Sequence, residues 1–162
     1  MSHQIAIKPL SAESFASFGD VIDASGEPTA MINNGKCARF NDIARLDFAD
    51  TGKPGISVFY AQPYSLPHHL PMVERHPLGS QAFIPMSSAP FLVIVAADKN
   101  GTPDTPKAFL TGPQQGVNIH RGIWHGVLTP LNEPAAFAVV DWIGDQANLE
   151  EHYFDLPWQV GG

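Results

Sequence analysis

Sulfur is scarce in this sequence. Cys37 is the only cysteine among 162 residues, so no disulfide can form within the chain and packing alone must stabilise the fold. We interpret Cys37 as a small buried side chain rather than a nucleophile, because no activating group stands beside it. A chain without disulfides fits the reducing cytoplasm, and the first ten residues lack the apolar segment of a secretory signal. We therefore expect a cytoplasmic protein.

Long apolar stretches and basic surplus are missing as well. The longest uninterrupted apolar run covers only residues 91–97, whereas a membrane span needs about 20 residues. Nine Lys and Arg oppose sixteen Asp and Glu, for a formal net charge of −7, which argues against a nucleic-acid partner. Charged residues make up 15% of the chain and hydrophobic residues 44%, as in a folded protein. At this length we expect a single domain, residues 1–162, with neither a membrane nor a nucleic acid as partner.

Turn-forming residues are abundant and divide the chain into short segments. Fifteen prolines and fourteen glycines are too many for a bundle of long helices. One short helix is predicted near the start, with Ser11 as N-cap, Phe15 and Phe18 on one face and Gly19 at its end. Segments rich in β-branched and aromatic residues predict strands at 56–60, 81–84, 91–95, 117–120 and 136–143, separated by breakers at 33–35, 51–55, 98–103 and 111–113. This pattern is typical of an all-β sandwich or barrel.

One chemically rich segment ends with a histidine. Residues 74–76 read Glu-Arg-His, and Gln81 follows at the head of a predicted strand. If this segment is extended, alternation points Glu74 and His76 to one face and Arg75 to the other. A solvated ladder on an edge strand has the same pattern, and that interpretation stays open.

A second segment, further along the chain, carries two more histidines. Asn118 and His120 share a strand face, and Gly122 supports a turn before Trp124 and His125. We interpret Trp124 as barrel packing. The plain structural interpretation of Asn118 and His120 is a buried pair whose polar groups are satisfied inside the protein. The remaining histidines have no polar company and are assigned to the surface or to loops: His3, His68, His69 and His152.

Together the two segments resemble the paired motifs of the cupin superfamily, small β-barrels of jelly-roll topology. In that pattern two strand residues separated by one, an acid a few residues on and a later histidine converge inside the barrel. The matching residues here are Glu74, His76, Gln81 and His125. The sequence departs from the pattern twice, because Glu74 stands where a histidine is usual and Gln81 where a glutamate is usual. The resemblance implies an all-β, cupin-like jelly-roll barrel with one short N-terminal helix.

Longer strings resemble the ureidoglycolate lyase family. They are residues 32–35, 74–86 and 115–125, and the likeness runs from about residue 10 to residue 142. This resemblance implies cleavage of (S)-ureidoglycolate to glyoxylate and urea in allantoin, and hence purine, nitrogen catabolism. It also implies a homodimer with a small-molecule substrate and, as in some members, a divalent nickel ion. No organic cofactor is expected.

The resemblance also suggests roles for the ionisable residues. His125 is the first choice as general base or metal ligand, with His76 and Glu74 beside it and His120 as the alternative base. A metal, if bound, would sit on Glu74, His76 and His125, with Gln81 or water completing the shell.

The substrate carboxylate needs a cation or hydrogen-bond donors, and a guanidinium can bind it through two parallel hydrogen bonds. The candidate substrate-binding residues are Arg121, Arg75, Lys107, Arg39, Asn118 and Asp141. Asp141 interrupts an otherwise apolar strand, where a buried acid needs a partner. We expect it to orient a histidine or Lys107, or to form an ordinary buried salt bridge.

Two other functions stay open on the sequence alone. An amidohydrolase would act on the same substrate with release of ammonia and carbon dioxide. A non-catalytic cupin would bind a small acid as a sensor. We expect no appended DNA-binding domain, which disfavours the sensor.

Overall fold

Strands account for most of the chain, and the computed structural model describes residues 3–162. The strands are β1 (His3–Ile5), β2 (Ile7–Pro9), β3 (Gly19–Ile22), β4 (Ala30–Ile32), β5 (Cys37–Arg39), β6 (Lys53–Ala61), β7 (His68–Arg75), β8 (Gln81–Pro85), β9 (Phe91–Ala96), β10 (Asp98–Lys99), β11 (Thr102–Pro103), β12 (Lys107–Leu110), β13 (Gly116–Ile119), β14 (Trp124–His125), β15 (Thr129–Pro130), β16 (Ala135–Ile143) and β17 (Glu150–Val160). The helix is α1 (Ala12–Phe15), and no helix within the described range is long and apolar enough to cross a membrane.

The larger sheet curls until its two ends nearly meet. Its strands run in the order β1-β17-β7-β14-β9-β12-β2, with β15 paired to β9 beside this path. Only Ala6 separates β1 from β2 along the chain, so the first and last strands of the path stay neighbours. The strands of this curl supply one apolar cluster, which consists of Ile5, Leu70, Val73, Leu92, Ile94, Ala96, Ala108, Trp124 and Val160.

A smaller sheet, in the order β3-β13-β8-β16-β6, packs against the larger one. The cluster between them, which we call the inter-sheet core, contains Leu10, Phe15, Phe18, Phe83, Phe91, Val93, Val95, Phe109, Val117, Ile119, Ala135, Phe137 and Val139. Phe91 and Phe137 meet across it edge to face, with ring centroids 4.9 Å apart. Burying each large side chain contributes about 1.5–3 kcal/mol, so the inter-sheet core supplies much of the free energy that holds the sheets together.

The predicted fold class is confirmed, because the protein is an all-β, cupin-like jelly roll with one short N-terminal helix. Strands occupy all the predicted places, as β6, β8, β9, β13 and β16. The breaker predicted at 51–55 is wrong in its second half, since β6 begins at Lys53. Pro54 is tolerated there because β6 lies at the edge of the smaller sheet.

The short helix begins as predicted and ends earlier. The Oγ of Ser11 accepts a hydrogen bond from the Ser14 amide at 3.1 Å, which makes Ser11 the N-cap. The predicted end at Gly19 is wrong, because the helix stops at Phe15 and Gly19 begins β3. Glycine is needed at this position for close approach, since a Cβ there would collide with the carbonyl oxygen of Asn118 on β13.

Two interpretations of single side chains are wrong. His68 does not lie in a loop, because it begins β7 and is buried. Cys37 is half-exposed rather than buried, and it begins the second strand of the isolated β4–β5 hairpin. The turn predicted at 33–35 joins these two strands, with φ values of 54°, 56° and 79° at Asn33, Asn34 and Gly35.

Strand β17 is the longest and has no clear signal in the sequence. It pairs with β7 in two registers, with an irregularity between Tyr153 and Trp158. A register shift interrupts the alternation of apolar and polar residues on which strand prediction depends. His152 belongs to this strand and does not lie in a loop. Its ring centroid is 6.1 Å from that of Trp124.

We expect Gly19→Ala to lower the free energy of unfolding by about 1–3 kcal/mol, because the added methyl group must displace the backbone of β13. Gly112→Ala is the matched control, since a Cβ there meets only the flexible side chain of Gln115. Urea denaturation of both variants measures the effect. Equal stability of the two variants would contradict the close approach between β3 and β13.

Candidate active site

Three side chains that can bind a metal ion converge on one face of the larger sheet. Glu74 belongs to β7, His76 follows that strand directly, and His125 ends β14. One ligand atom from each residue, a carboxylate oxygen or a ring nitrogen, lies within 4.8 Å of the other two. We call these three residues the triad. The structure thus brings together the residues that the two sequence segments nominated.

Strand pairing explains the position of the triad. His125 is the cross-strand partner of Glu74 on one side and of Val95 on the other. Cross-strand partners share a face, and Val95 belongs to the inter-sheet core, so the triad faces the space between the sheets. His76 is held near by the turn at Gly122, which has a φ of 79° and whose amide donates to the His76 carbonyl at 3.1 Å.

In its neutral form, each histidine of the triad carries its proton on Nδ1 and leaves Nε2 free. Nδ1–H of His76 donates to the Asn148 carbonyl at 2.8 Å, and Nδ1–H of His125 donates to the Gly126 carbonyl at 2.9 Å. A carbonyl only accepts, so the proton of each neutral ring sits on Nδ1. Both Nε2 atoms are buried and have no hydrogen-bond partner among residues 3–162. Buried lone pairs with their outer hydrogen bonds in place are arranged as metal ligands are.

Burial changes the acidity of two triad residues. Burial, followed by the positive field of His76, lowers the pKa of His125 to about 4, so its ring is neutral at pH 7. Burial also raises the pKa of Glu74, and Glu151 adds to this effect while His76 opposes it. A neutral imidazole is ready to bind a metal, and a cation would offset the cost of burying the Glu74 carboxylate. Two imidazoles and a carboxylate suit divalent zinc, nickel or iron, so the residues fit a metal.

Gln81 and Asp141 form a polar pair on the smaller sheet, facing the same space. Gln81 alternates with Phe83 along β8, and the Phe83 ring centroid lies 6.5 Å from that of His125. The Gln81 Nε2 donates to Asp141 Oδ2 at 3.2 Å, and its Oε1 is buried without a partner among the described residues. Asp141 thus pairs with a neutral amide and not with a histidine, Lys107 or any other cation within residues 3–162, so neither the predicted orienting role nor the predicted buried salt bridge is observed.

Asn118 and His120 lie on the other face of the smaller sheet, away from the triad. Their neighbours Val117 and Ile119 point into the inter-sheet core, so alternation turns Asn118 and His120 outward. Asp20 gathers both, because its Oδ2 accepts from Asn118 Nδ2 at 3.0 Å and from His120 Nε2 at 2.9 Å. The predicted shared face is confirmed, but the pair is not fully satisfied, because Asn118 Oδ1 is buried without a hydrogen-bond partner among residues 3–162 and His120 is only half-buried.

Asp20 has no distinguishing signal in the sequence, yet it organises this outer face. It also accepts from the Arg45 amide at 2.9 Å, and Asn118 Nδ2 donates to the Arg45 carbonyl at 2.8 Å. Burial alone would raise the pKa of Asp20. The hydrogen bonds from Asn118 and Arg45, together with His120, hold that pKa below its usual value. The cluster anchors the segment around Arg45 over the sheet and is spatially separate from the triad.

Arg75 lies on the opposite side of its strand from Glu74 and His76, as alternation predicts. Its guanidinium group stacks over Trp124 at 4.5 Å from the ring centroid. It also forms ion pairs with Asp98 at 2.8 Å and Glu150 at 2.7 Å. These contacts leave Arg75 as a packing residue and remove it from the candidates that face the triad.

The other predicted cations occupy different places. Arg121 Nε donates to the carbonyl of Pro77 at 2.6 Å, which holds it beside the residue that follows His76. Lys107 lies in the same cross-strand row as His125, but its ammonium group sits 5.7 Å from the Phe18 ring centroid. Arg39 is exposed at the end of the β4–β5 hairpin. Arg121 is thus anchored at the residue next to His76, where it also forms an ion pair with Asp47 at 3.6 Å.

Asn148 is a residue of the site without a sequence signal. Its backbone carbonyl holds His76, and its Oδ1 accepts from the Leu78 amide at 2.7 Å. It lies in the segment between β16 and β17, where no periodic pattern singles it out. Only the folded chain brings it to the strand end that carries His76.

Comparison with known proteins places the chain among lyases. The family model described as ureidoglycolate lyase matches residues 2–161. The chain is 55% identical to the ureidoglycolate lyase of Rhodobacter capsulatus over 98% of this chain and 99% of the relative. It is 50% identical to ureidoglycolate lyase 2 of Rhizobium meliloti, over 96% of each chain. The ureidoglycolate lyase of Chelativorans sp. is 49% identical over 97% of this chain and 96% of the relative.

Among solved structures, the fold is similar to that of a dTDP sugar isomerase from Desulfovibrio desulfuricans G20. The TM-score is 0.50 at 19% sequence identity, over 85% of this chain and 82% of that chain. At this identity the likeness concerns the fold alone.

We expect the metal-free protein to lose stability as the pH falls, because of His125. Its pKa falls from 6.5 to about 4 on folding, so between these values the unfolded chain binds a proton that the folded protein does not. The free energy of unfolding therefore keeps its full value above pH 6.5. It falls by about 3 kcal/mol as the pH drops from 6.5 towards 4. Urea denaturation of chelator-treated protein at a series of pH values measures it.

In the same experiment His125→Gln should flatten the pH dependence by that amount. The control is His69→Gln, which changes an exposed histidine on β7 and should keep the wild-type slope. Parallel curves for His125→Gln and the wild type would show that His125 is not buried in its neutral form.

Proposed function

The chain belongs to the ureidoglycolate lyase family, and we propose that it carries out the family's reaction at the triad of Glu74, His76 and His125. The protein is an enzyme of purine catabolism that cleaves ureidoglycolate, releasing glyoxylate and urea. The observation that supports the triad as the site is the pair of buried, unpartnered Nε2 atoms beside the half-buried carboxylate of Glu74. The outer cluster of Asp20 lacks such free acceptor nitrogens.

We propose that the triad holds a divalent metal ion through the Nε2 atoms of His76 and His125 and one oxygen of Glu74. Nickel is the metal that the family resemblance implies, and the two imidazoles and one carboxylate suit it. When bound, the metal supplies positive charge that favours the oxygen-rich end of the substrate. Ligation by one oxygen of Glu74 leaves its second oxygen to exchange a proton.

The reaction moves a single proton from oxygen to nitrogen. The substrate carbon bears a hydroxyl group and a ureido nitrogen; loss of the hydroxyl proton lets the C–O bond become the aldehyde of glyoxylate while the C–N bond breaks. The same proton, delivered to the departing nitrogen, completes urea. One residue can therefore act first as base and then as acid.

We assign the proton transfer to Glu74 rather than to His125. With a pKa of about 4, His125 is a weak base and a good metal ligand, which favours the ligand alternative of its predicted role. Burial raises the pKa of Glu74 in the metal-free protein, and the Glu74 oxygen that the metal leaves free can carry a proton. Arg121 is the cation we assign to the substrate carboxylate, because its anchor on Pro77 places it next to the triad segment.

We also propose that two copies pair through the outer face of the smaller sheet. Ile56, Val58 and Tyr60 alternate on β6 and are 78%, 64% and 69% exposed. Val58 and Ile84 are both register partners of Ala138, so Ile84 and the exposed Met86 continue the same apolar surface across β8. An exposed apolar edge of this kind favours association with an identical face, as the family resemblance implies.

The lone half-exposed Cys37 suits a reducing cytoplasm, which we propose as the location.

We expect the purified enzyme to release one urea per glyoxylate from ureidoglycolate, with ammonia appearing only after urease is added. Glu74→Gln should lower kcat about 10²–10⁴-fold, because it removes the proton carrier and keeps the shape of the side chain. Glu133→Gln, an exposed carboxylate in a loop, is the control and should keep wild-type activity. Coupled assays for glyoxylate and urea measure both products.

Two results of this experiment would contradict the proposal. Ammonia released directly would indicate an amidohydrolase, and glyoxylate binding without turnover would indicate a sensor. Elemental analysis of the same samples tests the metal, which His76→Ala and His125→Ala should remove. Full activity after chelation, with no metal found, would exclude a metal-dependent reaction.

We expect the wild-type protein to sediment as a dimer at micromolar concentration and Val58→Asp to sediment as a monomer, since a buried charge would oppose the apolar contact. Tyr153→Asp alters an equally exposed residue on the larger sheet and should leave the dimer intact. Analytical ultracentrifugation distinguishes these masses. An unchanged mass for Val58→Asp would locate the interface elsewhere.

A further inference from the structure

We propose that Asp141 is a positioning residue that fixes the amide of Gln81, so that Gln81 Oε1 accepts a hydrogen bond from the ureido nitrogen of the substrate. This inference rests on the proposed function. It adds a role that neither the triad nor Arg121 fulfils, namely recognition of the nitrogen-bearing half of ureidoglycolate.

The hydrogen bond between the two side chains sets which end of the amide faces the open space. An ionised carboxylate only accepts, so the group 3.2 Å from Asp141 Oδ2 must be the Gln81 NH2 group. A reversed amide would place two acceptor oxygens against each other. The carbonyl end, Oε1, is therefore directed away from Asp141.

Gln81 Oε1 is an acceptor without a donor. It is buried and has no hydrogen-bond partner anywhere in residues 3–162. A buried acceptor left unpaired is unfavourable and uncommon in folded proteins, and a water molecule, an ion or a ligand group can complete it. The missing partner must be a hydrogen-bond donor or a cation.

The placement of the pair points to the substrate. Asp141 alternates with Val139 of the inter-sheet core, and Gln81 alternates with Phe83, whose ring meets that of His125. The amide thus belongs to the smaller sheet and the triad to the larger sheet, with both facing the space between them. A substrate bound to the triad by its oxygen-rich end presents its ureido group to a different wall of that space.

The two products differ in their hydrogen-bonding groups, and this difference distinguishes the two halves of the substrate. Urea has N–H donors, whereas glyoxylate in its aldehyde form has only acceptors. An acceptor such as Gln81 Oε1 can recognise the first and not the second. Glutamine also suits this position better than glutamate, since a carboxylate there would face the carboxylate of Asp141.

The test compares inhibition by the two products. In Gln81→Leu we expect the inhibition constant of urea to rise about 5–10-fold, the usual effect of losing one hydrogen bond, while that of glyoxylate stays unchanged. Asp141→Ala should give a smaller rise, because the amide is then free to turn. Gln159→Leu, which alters a half-buried glutamine bonded to the exposed His69, is the matched control.

A double substitution of Gln81 and Asp141 distinguishes loss of the positioning role from general damage to the fold. In Gln81→Glu the two carboxylates repel, and we expect weak substrate binding and a high KM. Adding Asp141→Asn supplies a donor to one Glu oxygen and leaves the other as acceptor, so the double variant should recover most of the wild-type KM. Failure of this rescue in a folded protein would overturn the positioning role.

Three other outcomes distinguish failure of this inference from failure of the proposed function. A urea inhibition constant unchanged in Gln81→Leu, in an enzyme whose wild type releases urea, would overturn this inference and leave the proposed function standing. Loss of metal from Gln81→Leu by elemental analysis would show that Oε1 binds the metal, which also overturns it. A wild type that releases no urea would instead refute the proposed function.

Discussion

Burial of strand β9 on both faces is the constraint on which the structure depends. Phe91, Val93 and Val95 point into the inter-sheet core, while Leu92, Ile94 and Ala96 belong to the cluster of the curled sheet. A strand enclosed on both sides cannot slip by one residue without exchanging its two sets of side chains. Its neighbour β14 inherits that fixed register, because His125 is paired to Val95 and, through it, Glu74 is set opposite His125. The ligand geometry is thus a consequence of core packing.

The scarcity of charge gives the site its chemical character. Arg75 is neutralised by Asp98 and Glu150 and stacked on Trp124, so it adds no positive field on the triad's face. The triad itself combines a carboxylate with two imidazoles, and burial disfavours the charged forms of Glu74 and His125. A site of this kind is stable when a cation binds, because the cation satisfies the lone pairs and compensates the carboxylate at once. Binding of the proposed metal would therefore be coupled to the ordering of the site.

The sequence predicts those features that depend on local periodicity and not those that depend on which segments meet. The apolar run at 91–97 predicts a strand, and alternation correctly separates Glu74 and His76 from Arg75. Alternation also pairs Asn118 with His120 but does not reveal which face of the sheet they occupy. No local pattern identifies the hydrogen bonds between residues that are far apart in the chain. Three such bonds join His120 to Asp20, His76 to Asn148, and Gln81 to Asp141. Strand β17 is hidden because a register shift interrupts its alternation.

The separation of the histidines by the smaller sheet narrows the choice of proton carrier. His120 donates to Asp20 on the outer face, and so it cannot reach a substrate held between the sheets. His76 and His125 both use Nδ1–H to bind backbone carbonyls, which leaves one nitrogen each for a metal and none for proton exchange. Of the three triad residues, only Glu74 would keep a free oxygen with the proposed metal bound. The hydrogen bonds of its neighbours therefore support the proposed assignment of the proton transfer to this carboxylate.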